Sequence, residues 1–119
     1  MKNYEPYEGK EDDLQQICAR YLAYSPDIFY CHVPNGGKRN AREAAKFKRM
    51  GVRAGIPDLL IFNPSGHYNG LAIELKVKGG KVRPSQKEAL ERLNRLGWCT
   101  KVVYSFDQFE HIINVYFKL

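Results

Sequence analysis

The sequence has 119 residues, 44% hydrophobic and 27% charged, with a net charge of +6, which indicates one globular domain over residues 1–119 and argues against disorder. Cys18, Cys31 and Cys99 form no C-x-x-C pair, which argues against a disulfide framework or zinc knuckle, so we expect small core residues in a reducing compartment. Without a signal peptide, lipidation motif or bilayer-length apolar run, we expect an intracellular, cytoplasmic protein, bacterial or phage-encoded, with no membrane partner.

The first half of the chain predicts a helix, a strand and a second helix. Between Glu8 and Ala23 apolar residues recur at the spacing of one helix face, and Ser25-Pro26-Asp27 ends that helix. Ile28 to Val33 is rich in β-branched and aromatic residues, which predicts a strand closed by a Pro-Asn-Gly-Gly turn. Ala41 to Met50 has helical propensity, and Gly51 is its expected C-cap.

The second helix lies inside a strongly basic segment. Seven bases and one acid, Glu43, lie between residues 38 and 53. The bases are Lys38, Arg39, Arg42, Lys46, Lys48, Arg49 and Arg53. Such a segment would bind a phosphate backbone by counterion release, and it favours nucleic acid over a membrane because no apolar aromatic face accompanies it. A solvated face that only keeps the protein soluble explains these charges equally well.

The second half predicts three strands and two helices. In chain order they are the strands Leu59 to Phe62 and Leu71 to Val77, a helix from Ser85 to Leu96, the strand Trp98 to Tyr104, and a helix after Ser105. Both helices begin with a capping-box pattern, Ser85 with Glu88 and Ser105 with Gln108. The order of elements is therefore αβαββαβα, which predicts an α/β sandwich around a mixed sheet.

The hairpin between the two central strands brings acidic residues together. With the turn centred on Gly66, an antiparallel register sets Leu60 against Ala72 and Asp58 against Glu74. Directly opposed residues share a face of the sheet, so the two carboxylates would converge. Lys76 would point the same way, because side-chain direction in a strand repeats every second residue. A slip of one residue would separate the three groups.

Opposed like charges destabilise a sheet, and a divalent cation would resolve this conflict. Mg²⁺ prefers carboxylate and carbonyl oxygens, polarises a phosphoryl oxygen and lowers the pKa of bound water. Lys76 would then stabilise negative charge developing on a phosphate. Asp58, Glu74 and Lys76 therefore predict a metal-dependent phosphodiesterase, and two ordinary strands with edge charges are the alternative.

These residues also stand in motifs that identify a family. The chain from about Glu11 onward resembles the VRR-NUC domain, a branch of the PD-(D/E)xK nuclease superfamily. The matching motifs are Pro57-Asp58 with Glu74-Leu75-Lys76, the pair Glu11 and Gln15, the glycines Gly51 and Gly55 before Pro57, and Ser85-Gln86. The resemblance implies a restriction-endonuclease-like αβαββαβα sandwich with a central mixed β-sheet.

The resemblance also implies a role for each site residue. Asp58 and Glu74 would be the principal metal ligands, with the Leu75 carbonyl oxygen as a third, and Glu11 would reach the metal directly or through water. Lys76 would be the catalytic lysine, and Gln86 would support it or the scissile phosphate. The alternatives are that Glu11 serves only the helix dipole and that Gln86 is an ordinary first-turn residue.

The family implies Mg²⁺-dependent, structure-specific DNA cleavage, with Mn²⁺ as a substitute. Small standalone members resemble Holliday-junction resolvases of DNA repair and recombination, which act as homodimers. The apolar segment Ile112 to Leu119 is a candidate dimer surface. The predicted DNA-binding residues are Asn35, Lys38, Arg39, Arg42, Lys46, Arg49, Arg53 and Lys78. A flap- or nick-directed nuclease, a restriction-type enzyme and an inactive DNA-binding module remain alternatives.

The remaining histidines and tyrosines are expected to be structural. We expect His32 to make a local hydrogen bond at a strand end, and His67 and His111 to lie on the surface. We expect packing roles rather than base stacking for Tyr4, Tyr7, Tyr24, Tyr30 and Tyr68.

Overall fold

The computed structural model describes residues 4–34 and 40–119, and its elements follow the predicted order αβαββαβα. They are α1 (Glu11–Ala23), β1 (Tyr30–His32), α2 (Ala41–Arg49), β2 (Leu59–Ile61), β3 (Leu71–Leu75), α3 (Pro84–Arg95), β4 (Cys99–Val103) and α4 (Phe106–Tyr116). Within the described ranges, no helix has the length and apolar character needed to cross a membrane.

Helix α1 begins later than its sequence pattern predicts, at Glu11 instead of Glu8. The residues before it are extended, because Tyr7 bridges two strand ends: its N–H donates to the Tyr104 carbonyl (2.7 Å), and its carbonyl accepts from the Lys78 N–H (2.9 Å). These backbone partners come from distant parts of the chain, so the local periodicity of the sequence does not predict them.

The four strands form one mixed sheet in the order β1-β2-β3-β4. β1 pairs with β2 and β2 with β3 in antiparallel fashion, and β3 pairs with β4 in parallel. Leu60 lies opposite Ala72, which confirms the predicted hairpin register. Asp58 lies one residue before β2, and the same register extended by one residue sets it opposite Glu74.

The hydrophobic core lies between one face of the sheet and the helices α1 and α4. Alternate strand residues such as Leu59 and Ile73 meet Leu14 and Leu22 of α1 and Phe109 of α4, and all five side chains are fully buried. Helix α3 packs against β4 and covers the other face of β3, so every residue of β3 is buried. Glu74 therefore lies beneath a helix rather than on an open surface.

The two predicted helix caps have different outcomes. Ser105 caps α4 as predicted, because its Oγ accepts from the Gln108 N–H at 3.1 Å. The prediction that Ser85 with Glu88 caps α3 is wrong. The helix begins at Pro84 with Arg83 as N-cap, since proline has no N–H to satisfy and suits the first helical position.

Two expectations of burial are also wrong. All three cysteines are free, and Cys18 and Cys99 are buried, but Cys31 is exposed because it lies on the edge strand β1. Tyr24 is 83% exposed at the end of α1 and does not pack. The other tyrosines do make contacts: Tyr7, Tyr30 and Tyr68 pack against the core, and the ring of Tyr4 lies 6.2 Å from that of His111.

Gly55 allows the segment that precedes Asp58 to lie close against the start of α3. Its φ is +86°, and a Cβ there would lie 2.4 Å from the Ser85 carbonyl oxygen. We expect Gly55→Ala to lower the free energy of unfolding by about 3 kcal/mol, from left-handed strain plus overpacking. Gly51→Ala is the matched control: φ is +96° but no atom lies within 4 Å, so only the strain of about 1 kcal/mol applies. Equal losses in urea unfolding of both variants would contradict this account.

Candidate active site

Three acidic side chains from different elements converge at one end of the sheet. Glu11 is the first residue of α1, Asp58 immediately precedes β2, and Glu74 lies in β3. One carboxylate oxygen from each lies within 4.8 Å of the others. Glu11 and Asp58 are half-buried and Glu74 is buried. The convergence of Asp58 with Glu74 follows from the hairpin register, and α1 adds the third carboxylate from the opposite end of the sequence.

Asp58 is held in place by both neighbouring strands. Its Oδ2 accepts from the backbone N–H of Leu75 at 2.7 Å. Its carbonyl oxygen accepts from the Val33 N–H at 2.9 Å and from Nδ1 of His32 at 2.7 Å. These bonds fix the backbone and one carboxylate oxygen of Asp58, so that its other oxygen can face the acidic cluster. His32 makes a hydrogen bond at the end of its strand as predicted, but its partner is 26 residues away in the sequence rather than local.

Glu74 is almost completely buried, at 1% exposed. Its Oε1 accepts from Nε2 of Gln86 at 3.2 Å and lies 4.0 Å from Nζ of Lys76. Its Oε2 is buried and has no hydrogen-bond partner among the described residues. A buried carboxylate oxygen without a donor is costly unless something outside the chain satisfies it.

The pKa values of the cluster reflect this burial. Burial, followed by the close approach and negative charge of the Asp58 carboxylate, raises the pKa of Glu74 to about 9, although Lys76 opposes the shift. Burial, followed by the charge of Asp58, also raises the pKa of Glu11. Without a cation the site therefore resists carrying its full negative charge.

The acidic cluster fits a divalent cation, because hard cations take oxygen ligands and compensate buried negative charge. Oε2 of Glu74, which has no donor among the described residues, would gain a partner in such a cation. Glu11, Asp58 and Glu74 can therefore hold a metal ion. The Leu75 carbonyl stays a predicted ligand; what the structure adds is that the N–H of the same residue orients Asp58.

Lys76 and Gln86 lie on the same side of the sheet as the carboxylates. Lys76 is only 5% exposed, so its ammonium group is held close to Glu74 rather than spread into solvent. Gln86 uses both ends of its side chain: Nε2 donates to Glu74, while Oε1 accepts from the Arg83 N–H at 2.8 Å. This one side chain links the start of α3 to the acidic cluster, so it is more than a first-turn helix residue.

The structure adds one polar residue that the sequence did not place near the site, His32, and it locates a second, Gln15, which the sequence singled out only through the family motif. His32 lies against the backbone of Asp58, and the pairing of His32 with Leu59 was the signal that could have located it. Gln15 follows Glu11 by one helical turn on the inner face of α1. Its Oε1 is buried without a partner among the described residues, and no spacing in the sequence indicates that.

The predicted DNA-binding residues fall into separate groups. Arg42, Lys46 and Arg49 are exposed on α2. Arg53 forms an ion pair with Glu88 at 3.6 Å, and Lys78 forms one with Glu8 at 3.0 Å. Both pairs are well exposed, so they hold these bases only weakly. Asn35, Lys38 and Arg39 lie outside the described residues.

The C-terminal segment is only partly available as a surface. Ile113 and Tyr116 pack into the core, whereas Val115 and Leu119 are 47% and 60% exposed. Val115 and Leu119 also line a cavity of about 250 Å³ that reaches Tyr68. The segment thus combines core packing with an exposed apolar edge.

The mixed sheet, its flanking helices and the acidic site with a buried lysine define a nuclease-type α/β domain. The family model of the VRR-NUC domain matches residues 9–107, and the chain belongs to this family. The chain is also similar to a solved structure named "VRR_NUC domain protein", with a TM-score of 0.74 and 35% identity over 92% of this chain and 89% of that one. No curated protein matches the sequence. Membership of the family implies DNA as the substrate.

Proposed function

We propose that this protein, as a single domain, is a divalent-metal-dependent DNA endonuclease that hydrolyses phosphodiester bonds in Holliday junctions or other branched DNA. The observation that carries the proposal is the convergence of Glu11, Asp58 and Glu74 beside the buried Lys76. Oε2 of Glu74 supports a bound cation, because it is buried and none of the residues that the structure describes donates to it.

Glu11, Asp58 and Glu74, with the Leu75 carbonyl, would hold the metal, Mg²⁺ by preference and Mn²⁺ as a substitute. When bound, such a cation polarises a phosphoryl oxygen and lowers the pKa of water. Lys76 contributes a positive charge that stabilises the negative charge developing on the phosphate. Gln86 keeps Glu74 oriented through its Nε2 hydrogen bond.

Branched DNA as the substrate agrees with a basic surface, because clustered bases recognise the phosphate backbone rather than a base sequence. Arg42, Lys46, Arg49, Arg53 and Lys78, together with Asn35, Lys38 and Arg39, would contact the phosphate backbone. A homodimer would place two sites in two-fold symmetry, as two symmetric cuts across a four-way junction require. The exposed apolar edge of the C-terminal segment is one surface through which such a dimer would form.

The proposal is tested by cleavage of labelled four-way junction, flap, nicked and linear duplex DNA, with Mg²⁺, Mn²⁺ or EDTA. We expect incision of the junction or another branched substrate with either metal, and none in EDTA. Cleavage that continues in EDTA would refute the metal mechanism, and DNA binding without cleavage under any condition would indicate an inactive binding module. Cutting of linear duplex at one sequence would indicate a restriction-type enzyme.

The oligomeric state is tested by light scattering on the free protein. We expect the mass of a dimer, twice the 13.7 kDa of one chain. A monomer at micromolar concentration would redirect the substrate assignment from four-way junctions to flaps or nicks, because symmetric double cutting needs two linked sites.

A further inference from the structure

Helix α2 lies at the surface, and among its residues only Phe47 is half-buried. None of its nine residues is buried. Its N-terminus is capped by Asn40, whose Oδ1 accepts from the Glu43 N–H at 2.8 Å. A helix of nine residues is marginal in water without tertiary packing, because helix nucleation is costly. Contacts with another molecule along its exposed sides would stabilise such a helix.

The two sides of α2 differ in chemistry. Arg42, Lys46 and Arg49 follow one another at helical spacings of four and three residues, so they form one basic stripe. Ala44 and Phe47 lie on the opposite side and line a cavity of about 650 Å³. Lys48 lines the same cavity. The stripe thus faces away from the cavity.

The charge and size of α2 match one occupant. A single helix is about 10–12 Å in diameter, and the major groove of DNA is about 12 Å wide and flanked by phosphates. The stripe runs over about 10 Å at a rise of 1.5 Å per residue. It is cationic, as that groove requires. Phe47 on the opposite side of α2 is half-buried, so the basic stripe is the side of the helix that is open to such a groove.

We propose that α2 lies in the major groove of a duplex arm of the DNA substrate, with Arg42, Lys46 and Arg49 directed into the groove. The inference rests on the proposed action on DNA. The segment after α2 returns along α3, where Arg53 pairs with Glu88, and ends at Asp58. A duplex arm held by α2 is thereby connected to Asp58 of the acidic site through the eight residues 50–57.

Competition in EDTA tests the groove, because binding is then measured without cleavage. Methyl green occupies the major groove and distamycin the minor groove of duplex DNA. We expect methyl green to release the protein from a junction and from linear duplex, and distamycin to have little effect. Release by distamycin alone, or by neither, would overturn the inference. A protein that binds no DNA at all would instead contradict the proposed function.

Single substitutions test the stripe against a matched control. We expect Arg42→Gln, Lys46→Gln and Arg49→Gln each to weaken duplex binding several-fold, and the triple variant at least about 30-fold, by loss of charged groove contacts. Lys48→Gln removes the same charge from the opposite side of α2 and should change the affinity less than twofold. Glutamine preserves helix propensity, and circular dichroism checks the fold. Equal effects of Lys48→Gln and the stripe variants would overturn the assignment.

Discussion

Asp58→Asn is expected to lower Mg²⁺-dependent cleavage by at least about 100-fold, the loss typical when one preorganised electrostatic group is removed from an active site. The carboxamide oxygen can still accept from the Leu75 N–H, so the local backbone should keep its geometry. The substitution removes the carboxylate of Asp58, which is one of the three carboxylates in the cluster with Glu11 and Glu74. Binding of DNA in EDTA should stay within about threefold, because the basic surfaces are unchanged.

The measurement is single-turnover cleavage of a branched substrate, with metal affinity by calorimetry as an independent readout. Asp13→Asn is the control: Asp13 is exposed in the first turn of α1 and lies outside the acidic cluster. Its cleavage rate and metal affinity should match those of the unmodified chain. If Asp58→Asn cleaves at the unmodified rate, Asp58 has no part in the reaction.

Glu74→Gln is expected to stabilise the metal-free protein at pH 7 while it abolishes cleavage. The pKa of Glu74 is raised to about 9 in the folded chain, chiefly by burial and then by Asp58. Folding therefore favours the neutral carboxyl, whereas the unfolded chain ionises at the ordinary value of 4.5. A glutamine is neutral in both states and can still accept from Gln86, so we expect a gain of roughly 1–3 kcal/mol at pH 7.

The effect of Glu74→Gln on stability depends on pH, because the pKa of Glu74 differs between the folded and the unfolded chain. For the unmodified chain, the contribution of Glu74 is fully present below pH 4.5 and is lost progressively as the pH rises to about 9. The difference in melting temperature between Glu74→Gln and the unmodified chain should therefore be near zero at pH 4 and grow up to pH 9, in EDTA. Glu91→Gln, at an exposed position on α3, controls for the loss of a charge.

Added Mg²⁺ should reverse the order of stability. A cation that binds only the folded chain stabilises it by mass action, and the variant lacks one of its carboxylates. The unmodified chain should therefore gain melting temperature with Mg²⁺ while Glu74→Gln gains little. A variant that is less stable than the unmodified chain in EDTA at every pH would show that Glu74 is held ionised by the fold, contrary to its raised pKa.

Much of the fold could be read from local patterns. The order αβαββαβα follows from periods of two and of 3.6 residues and from turn residues, and the structure confirms it. The hairpin register follows from the position of Gly66, and it brings Asp58, Glu74 and Lys76 to one face. Membership of the VRR-NUC family, inferred from the motifs around these residues, is confirmed by the match to residues 9–107.

Other features depend on which elements cover each surface. Cys31 and Tyr24 resemble core residues in the sequence, yet both are exposed, because no element in the described part of the chain packs over them. The start of α1 is delayed because Tyr7 finds backbone partners on the far side of the chain. The family motif predicts Gln86 as a site residue, but only the placement of α3 shows that its side chain donates to Glu74.

The sequence by itself determined the family, the order of elements and the convergence of two carboxylates with a lysine, because hairpin pairing and side-chain alternation are local properties of the chain. The family motif also predicted Glu11 near the metal, but the tertiary structure alone decided that its carboxylate lies beside the other two. It also decided that an oxygen of Glu74 is buried without a donor among the described residues, and that α2 contributes no buried side chain. The physical reason is that burial, and the pKa values and unsatisfied groups that follow from it, depends on the elements packed above a residue, and those come from distant parts of the sequence.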